Sequence, residues 1–296
     1  MTNTVEAPAT NDVGGQVQRL LPGLAAGTSL GLSDVLAKVV LRLGCDVLTM
    51  LSFRSIVGLV FMAAWLGLGP RPSVSPRQRW FSLGVGVMFA ALIYCLFRAI
   101  DLVDVPTAIL SYFIYPLLTG LCASALGLEK LRWRGVVCAL IAFLGLAVMI
   151  GAHPAGLALA GIAFSFAAAC CRTGVLLTTR AYLVGVDARL TTWYSLLSST
   201  ALFVAASFAT RTWNVPPTAY GLTALVGLGV ATTAGILFVF VSTVRIGPFR
   251  TALIMHIEPL IVTVLSAFLL GEVMTPLQGL GSVIMLGALV AFQLWR

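Results

Sequence analysis

Five ionisable side chains, Asp34, Lys38, Arg54, Arg172 and Glu258, stand deep inside stretches that are otherwise apolar. At the middle of a lipid bilayer such a residue costs at least about 2.5–3.5 kcal/mol, so each needs a partner, a polar cavity or a ligand. Asp34 and Lys38 are four apart, on one helical face, where they can pair either as a cavity lining or as a structural bridge. Arg172 has no acidic neighbour within a turn. Its planar fork suits a substrate carboxylate, or a structural partner such as Glu258. Arg54 reads as structural, a side chain that snorkels or bonds to a neighbouring helix. Glu258 precedes Pro259, which frees a backbone carbonyl and bends a helix. Of the carboxylates, Glu258 alone lies deep in a span without a local cation, which makes it the strongest single candidate. His256, two residues earlier, is turned about 200° away around a helix, so the two cannot both face one cavity squarely.

Aromatic residues add a second kind of chemistry. Tyr94, Arg98 and Asp101 recur at helical spacing as one stripe, and Ala108, Tyr112 and Tyr115 form another. Stripes on two helices can hold an apolar or aromatic side chain, although any single tyrosine also fits packing or an interfacial belt. Gly27-Thr28-Ser29-Leu30-Gly31 matches a serine nucleophile pattern, but that pattern needs a strand–turn–helix context. Gly23, Gly27 and Gly31 instead lie four apart, the spacing of a close helix-packing face. No metal cluster, metalloprotease motif or phosphate loop is present, so no cofactor or metal is expected.

The elements that carry these residues are dictated by composition. Of the 296 residues, 59% are hydrophobic and 9% charged, and the mean hydropathy is +1.03. A soluble surface needs about 25% charged residues, so lipid must be the solvent for most of this chain. Asp, Glu, Lys and Arg are absent from Gly135 to Cys171, from Thr212 to Val244 and from Val273 to Trp295. Backbone amides cannot stay unpaired in lipid, and long apolar runs without alternation exclude a barrel. The fold class is therefore all-α and polytopic. Spans are placed near 20–41, 47–67, 80–100, 105–126, 135–151, 156–180, 190–210, 218–243, 249–270 and 276–295. Residues 1–18 read as a disordered cytoplasmic tail whose acidic residues, Glu6 and Asp12, do not suit a secretory leader. The six cysteines lie in or beside apolar stretches and read as buried, reduced thiols.

Twelve of the eighteen basic residues fall on one side if the N-terminus is inside: Arg19, Arg71, Arg77, Arg79, Lys130, Arg132, Arg134, Arg180, Arg189, Arg245, Arg250 and Arg296. Arg42, Arg98 and Arg211 fall on the other. This bias places both termini in the cytoplasm of an inner-membrane protein. The same scatter to helix ends argues against nucleic acid as a partner for the net charge of +8.

An internal repeat organises the ten spans. Ala108–Gly135 and Thr251–Gly279 align, with Pro116 matching Pro259 and Glu129 matching Glu272, both at an offset of 143. A five-span unit crosses an odd number of times, so its copy must be inverted, giving halves at 19–151 and 152–296. Basic residues follow Glu129 but not Glu272, as inversion requires. Transporters recurrently use inverted repeats with the substrate site at the repeat interface. These features, and above all His256-Ile257-Glu258-Pro259 with Leu270-Gly271-Glu272, resemble the EamA family of the drug/metabolite transporter superfamily. Length and the aromatic-rich third and fourth spans are most similar to YddG-type amino-acid exporters. Tyr115 stands where the second half has Glu258, a departure between the halves.

The resemblance implies a metabolite transporter, often an exporter. The expected function is export of amino acids, aromatic or hydrophobic ones favoured, by alternating access. The alternative is a membrane-embedded enzyme or a structural protein. The expected cavity is lined mainly by spans one, three, four, six, eight and nine. Its candidate binding residues are Asp34, Lys38, Tyr94, Arg98, Tyr112, Tyr115, Arg172, His256 and Glu258, with protons as a candidate coupling ion.

Overall fold

The computed structural model describes residues 13–68, 73–151, 158–271 and 273–294. Glu6, Asp12, Arg71, Glu272 and Arg296, used above, lie outside the described residues. The described residues form helices α1 (Val13–Arg42), α2 (Val47–Gly67), α3 (Pro76–Leu102), α4 (Val105–Tyr112), α5 (Tyr115–Ala125), α6 (Trp133–Ile150), α7 (Leu159–Tyr182), α8 (Ala188–Thr210), α9 (Ala219–Ile246), α10 (Pro248–Ile254), α11 (Ile257–Leu270) and α12 (Pro276–Leu294), and no strand. Nine helical stretches among them are long and apolar enough to cross a membrane, α4–α5 and α10–α11 each counting as one, and α12 adds a shorter apolar stretch. Helix α1 starts upstream of Gln18, which corrects the expected extent of the disordered tail. Gln16, Gln18 and Arg19 are good helix formers and let the helix run past its apolar part.

Two spans expected to be continuous are each broken in two. The breaks fall at Phe113–Ile114 and Met255–His256, just ahead of Pro116 and Pro259. Proline has no N–H to offer and its ring clashes with the carbonyl four residues back, so the helix restarts after a tight turn. Short bonds from Leu117 N to Ile114 O (3.1 Å) and Glu258 N to Met255 O (3.0 Å) close the turns. Such irregular backbone is tolerated at membrane depth only where protein or a cavity surrounds it.

Helix α1 packs on α9 and α7 packs on α3; α2 packs on α9 and α8 on α3; α1 meets α11 and α7 meets α4 and α5. Helix α6 pairs with α12, and α2 with α8. Exchange each helix for its counterpart in the other half of the chain, α1 for α7, α2 for α8, α3 for α9, α4–α5 for α10–α11 and α6 for α12, and this pattern maps onto itself. Each half therefore wraps helices of the other, and the space between them belongs to both.

Small residues make these approaches possible. A Cβ on Gly27 would lie 2.2 Å from Ile257 Cγ2 and one on Gly31 2.8 Å from Ile261 Cγ2, so the glycine stripe of α1 seats α11. Tighter still, a Cβ on Gly86 would lie 2.0 Å from the Ser195 carbonyl oxygen, a backbone atom that cannot step aside. Gly86→Ala should cost about 1–3 kcal/mol by forcing α3 and α8 apart. The readout is the thermal unfolding midpoint in detergent, and an unchanged midpoint would deny this contact. All six cysteines are free; Cys122 and Cys170 are exposed rather than buried, because every face of a membrane helix is apolar and burial cannot be read from hydropathy alone.

Candidate functional site

A cavity of about 380 Å³ lies between the two halves. Its rim is formed by Val105 and Pro106 at the start of α4 and by Met149 and Ile150 at the end of α6. The wall below is aliphatic and aromatic: Phe89, Leu92, Ile93 and Leu96 from α3, Ile109 and Tyr112 from α4, Phe203 from α8. Charged groups are gathered deeper, where α1 brings Asp34, α2 brings Arg54, α7 brings Arg172 and α11 brings Glu258.

These four groups face one another. The Asp34 and Glu258 carboxyl groups lie side by side on the cavity wall. Arg54 and Asp34 are electrostatic partners, and Arg172 stands within reach of both carboxyls. The Arg172 side chain is 5% exposed, its guanidinium lying 5.8 Å from the Phe89 ring centre and 5.7 Å from that of Tyr115. It also donates to the Tyr115 hydroxyl, which in turn donates to the Ala252 carbonyl at 3.4 Å. The Nε–H groups of both Arg54 and Arg172 are buried without a hydrogen-bond partner among the described residues. A buried orphan donor costs about 1–3 kcal/mol, a cost that an anionic ligand would relieve.

The two ends of the bundle are tied differently. Near the cavity rim, Asp46 caps α2 and accepts the Thr49 N–H at 2.9 Å and the Asn214 N–H at 3.0 Å, joining the loops that follow α1 and α8. Burial alone would push the Asp46 carboxyl up, but these bonds and the Thr49 hydroxyl win and hold it below its ordinary value. At the opposite end, Glu129 reaches from the loop after α5 to the first turn of α10. It accepts the Phe249 N–H at 2.9 Å and lies 3.5 Å from Arg250 Nε. Gly247, with φ of +99°, leaves room for that carboxylate: a Cβ there would sit 2.5 Å from Glu129 Oε2. A smaller pocket of about 200 Å³ lies at this end, lined by Thr179, Leu183, Thr191 and Phe240 among others. Packing of Met62, Val175, Leu196, Ile236 and Phe240 separates it from the main cavity.

Of the residues singled out from sequence, Asp34, Tyr112, Arg172 and Glu258 line the cavity together. Tyr115 lies behind Arg172, 1% exposed. His256 is enclosed at the second helix break, its Nδ1 3.1 Å from the Leu253 carbonyl and its ring against Phe113 at 5.6 Å between centres. Lys38, one turn beyond Asp34, is not part of the cavity wall. Tyr94 and Arg98 correct the expected stripe: Tyr94 is 61% exposed, and Arg98 pairs with Asp101 at 3.0 Å on the outer surface. The stripe is real, but it is the face of α3 opposite Phe89, Leu92 and Leu96, and the face that meets the cavity is the apolar one. Spans two, five and seven, absent from the expected lining, contribute Arg54, Met149 and Phe203 with Ser195 and Ser199. Arg54 carried a signal, a lone cation at mid-span; the serines carried none, since hydroxyl residues also serve helix packing.

Comparison with known proteins settles the family. The profile of the EamA-like transporter family matches residues 20–151 and again residues 159–292, one copy in each half. The chain belongs to the EamA-like transporter family. It is thus a multi-pass membrane protein of a transporter family, which implies a small-molecule substrate and a bilayer around it. Among the solved structures it resembles is one described only as "Crystal structure of protein", with a TM-score of 0.78 over 94% of this chain and 98% of that one. At 20% identity this likeness speaks for the fold alone. No curated protein matches the chain.

Proposed function

We propose that this EamA-like protein is a secondary transporter of the cell inner membrane that exports zwitterionic amino acids, aromatic and other apolar ones foremost, by alternating access. The observation that carries the reading is the grouping of two guanidinium and two carboxyl groups at the base of one cavity whose wall is aromatic and aliphatic. Guanidinium groups offer the substrate carboxylate a bidentate contact, and the Asp34–Glu258 pair offers its ammonium group an acceptor. The side chain takes the Phe89, Tyr112 and Phe203 wall. In this reading the carboxyl pair shares a proton when empty, and an ammonium seated on it competes with that proton, which couples substrate exit to proton entry.

The architecture that serves this function is ten crossings in two inverted five-span halves, 19–151 and 152–296. The Pro116/Pro259 and Glu129/Glu272 repeat, the odd unit size and the exchange symmetry of helix packing support it. The distribution of basic residues supports cytoplasmic termini, and on that reading the Glu129 latch closes the cytoplasmic end while the cavity reaches outward. The YddG-type resemblance supports amino acids as the cargo.

Uptake of radiolabelled phenylalanine and leucine into proteoliposomes made with the purified protein tests the reading. Saturable uptake well above that of empty vesicles is expected. Absence of uptake for every proteinogenic amino acid, with the protein monodisperse, would reject it.

A further inference from the structure

We infer that Arg54 sets substrate class, by holding the substrate carboxylate and so restricting the cavity to amino acids over amines; this rests on the amino-acid reading above. Two arginines reach the cavity, but they are held unequally. Arg172 is clamped between the faces of Phe89 and Tyr115 and bonded to the Tyr115 hydroxyl, and is almost wholly buried. A guanidinium so held is committed to bracing α7 against α3 and α5. Arg54 is half-buried on the cavity wall and has Asp34 as its ionic partner, and its Nε–H, like that of Arg172, finds no acceptor among the described residues. Among the described residues neither ring stacking nor a tyrosine hydroxyl restrains it.

The repeat sharpens the point. Asp46 and Asp187 cap the matching helices α2 and α8, an offset of 141, and at that offset the counterpart of Arg54 is Ser195. Both side chains line the cavity. One half thus presents a cation where the other presents a hydroxyl, so the positive charge on this wall is not imposed by the helix packing the halves share.

Charge counting then gives the consequence. Asp34, Glu258, Arg54 and Arg172 sum to zero, or to +1 with the proton the carboxyls share. A zwitterion adds no net charge to this set and satisfies the orphan Nε–H. An amine lacks the carboxylate that would satisfy Arg54 and adds a second positive charge beside it. Neutralising Arg54 takes the set to −1, or to zero with one proton on the carboxyls, so a cation meets less repulsion there. A site built around a buried polar contact rejects a ligand lacking the matching group far more strongly than an apolar wall rejects a size change.

The test uses three compounds of one shape: phenylalanine, phenethylamine without the carboxylate, and 3-phenylpropionate without the ammonium. Uptake of each is measured in proteoliposomes for the parent, Arg54→Gln and Arg54→Lys. In Arg54→Gln the ratio of phenylalanine to phenethylamine uptake is expected to fall at least tenfold, with phenethylamine uptake kept or raised and 3-phenylpropionate lost. Arg54→Lys keeps the charge but not the fork, so its ratio should fall less, severalfold, which decides the matter should the Gln variant not fold. Proportional loss of phenylalanine and phenethylamine in both variants would overturn the inference while leaving the amino-acid reading intact. A parent that takes up none of the three would overturn both.

Discussion

Glu258→Gln is expected to cut amino-acid transport at least tenfold while the protein remains folded and membrane-inserted. Glutamine keeps the length of the side chain and can still bond to Asp34, so packing at the second helix break should survive. What disappears is the ionisable carboxyl beside Asp34, and with it half of the acceptor for an ammonium group. Hydrogen bonds to charged groups contribute about 1.5–3 kcal/mol, and each 1.4 kcal/mol is a factor of ten in affinity, which sets the size of the loss. With one carboxyl gone the pair no longer exchanges a proton for substrate, so the transport rate should also lose its pH dependence between about pH 5 and about pH 8. Glu258→Asp, which keeps the charge and shortens the reach, should retain a measurable fraction of transport and its pH profile. Rates equal to the parent's across that range in Glu258→Gln would return the residue to a structural role.

How such a site is read from sequence depends on what apolar periodicity can and cannot resolve. Charge-free runs and turn residues placed the spans well, because the cost of an unpaired amide or charge in lipid leaves few alternatives. The Gly23, Gly27 and Gly31 stripe was legible for a similar reason: only small residues admit a neighbouring helix whose side chains come as close as those of Ile257 and Ile261. Facing was not legible. In a soluble helix the polar side looks outward, but every side of α3 is apolar, so Tyr94 and Arg98 drew attention to the surface that points away from the cavity. Arg54 reads as structural from sequence because its partner, Asp34, lies on another helix, and no local spacing pairs α1 with α2. Pro116 and Pro259 announced bends; that both spans break, with Phe113 and His256 meeting ring to ring at the breaks, required the fold. These two residues are repeat partners at the same offset of 143 as the prolines.

The closed end of the bundle leads to the other large effect. The first turns of α4 and α10 are repeat partners, Val105 matching Pro248 at the offset of 143, yet they are capped in different ways. Asp104 caps α4 from its own chain segment, accepting the Thr107 N–H at 3.0 Å. Its counterpart is Gly247, which has no side chain, and α10 is capped instead by Glu129 from the other half. Parting the halves at this end must break that bond, whereas parting them at the cavity rim leaves the α4 cap whole. Glu129→Ala strands the Phe249 N–H in the closed state at a cost of about 1–3 kcal/mol, enough to raise the open fraction about tenfold. A cysteine placed at Thr191, in the pocket behind this latch, should then react about tenfold faster with a membrane-impermeant thiol reagent in a background lacking the natural cysteines. Glu129→Gln should behave in the opposite sense. Burial pushes the Glu129 carboxyl above its ordinary value, outweighing the Phe249 N–H and Arg250, so the latched state holds a proton more tightly than an open state with Glu129 in water. Latching gains stability as pH falls through that raised value and loses it as pH rises past it. Glutamine imitates the protonated form and still accepts the Phe249 N–H, so Glu129→Gln should close the pocket at least as firmly as the parent and abolish the rise of labelling with pH. Equal labelling of parent, Ala and Gln variants at every pH would show that this end is held by packing around Phe240 and not by Glu129.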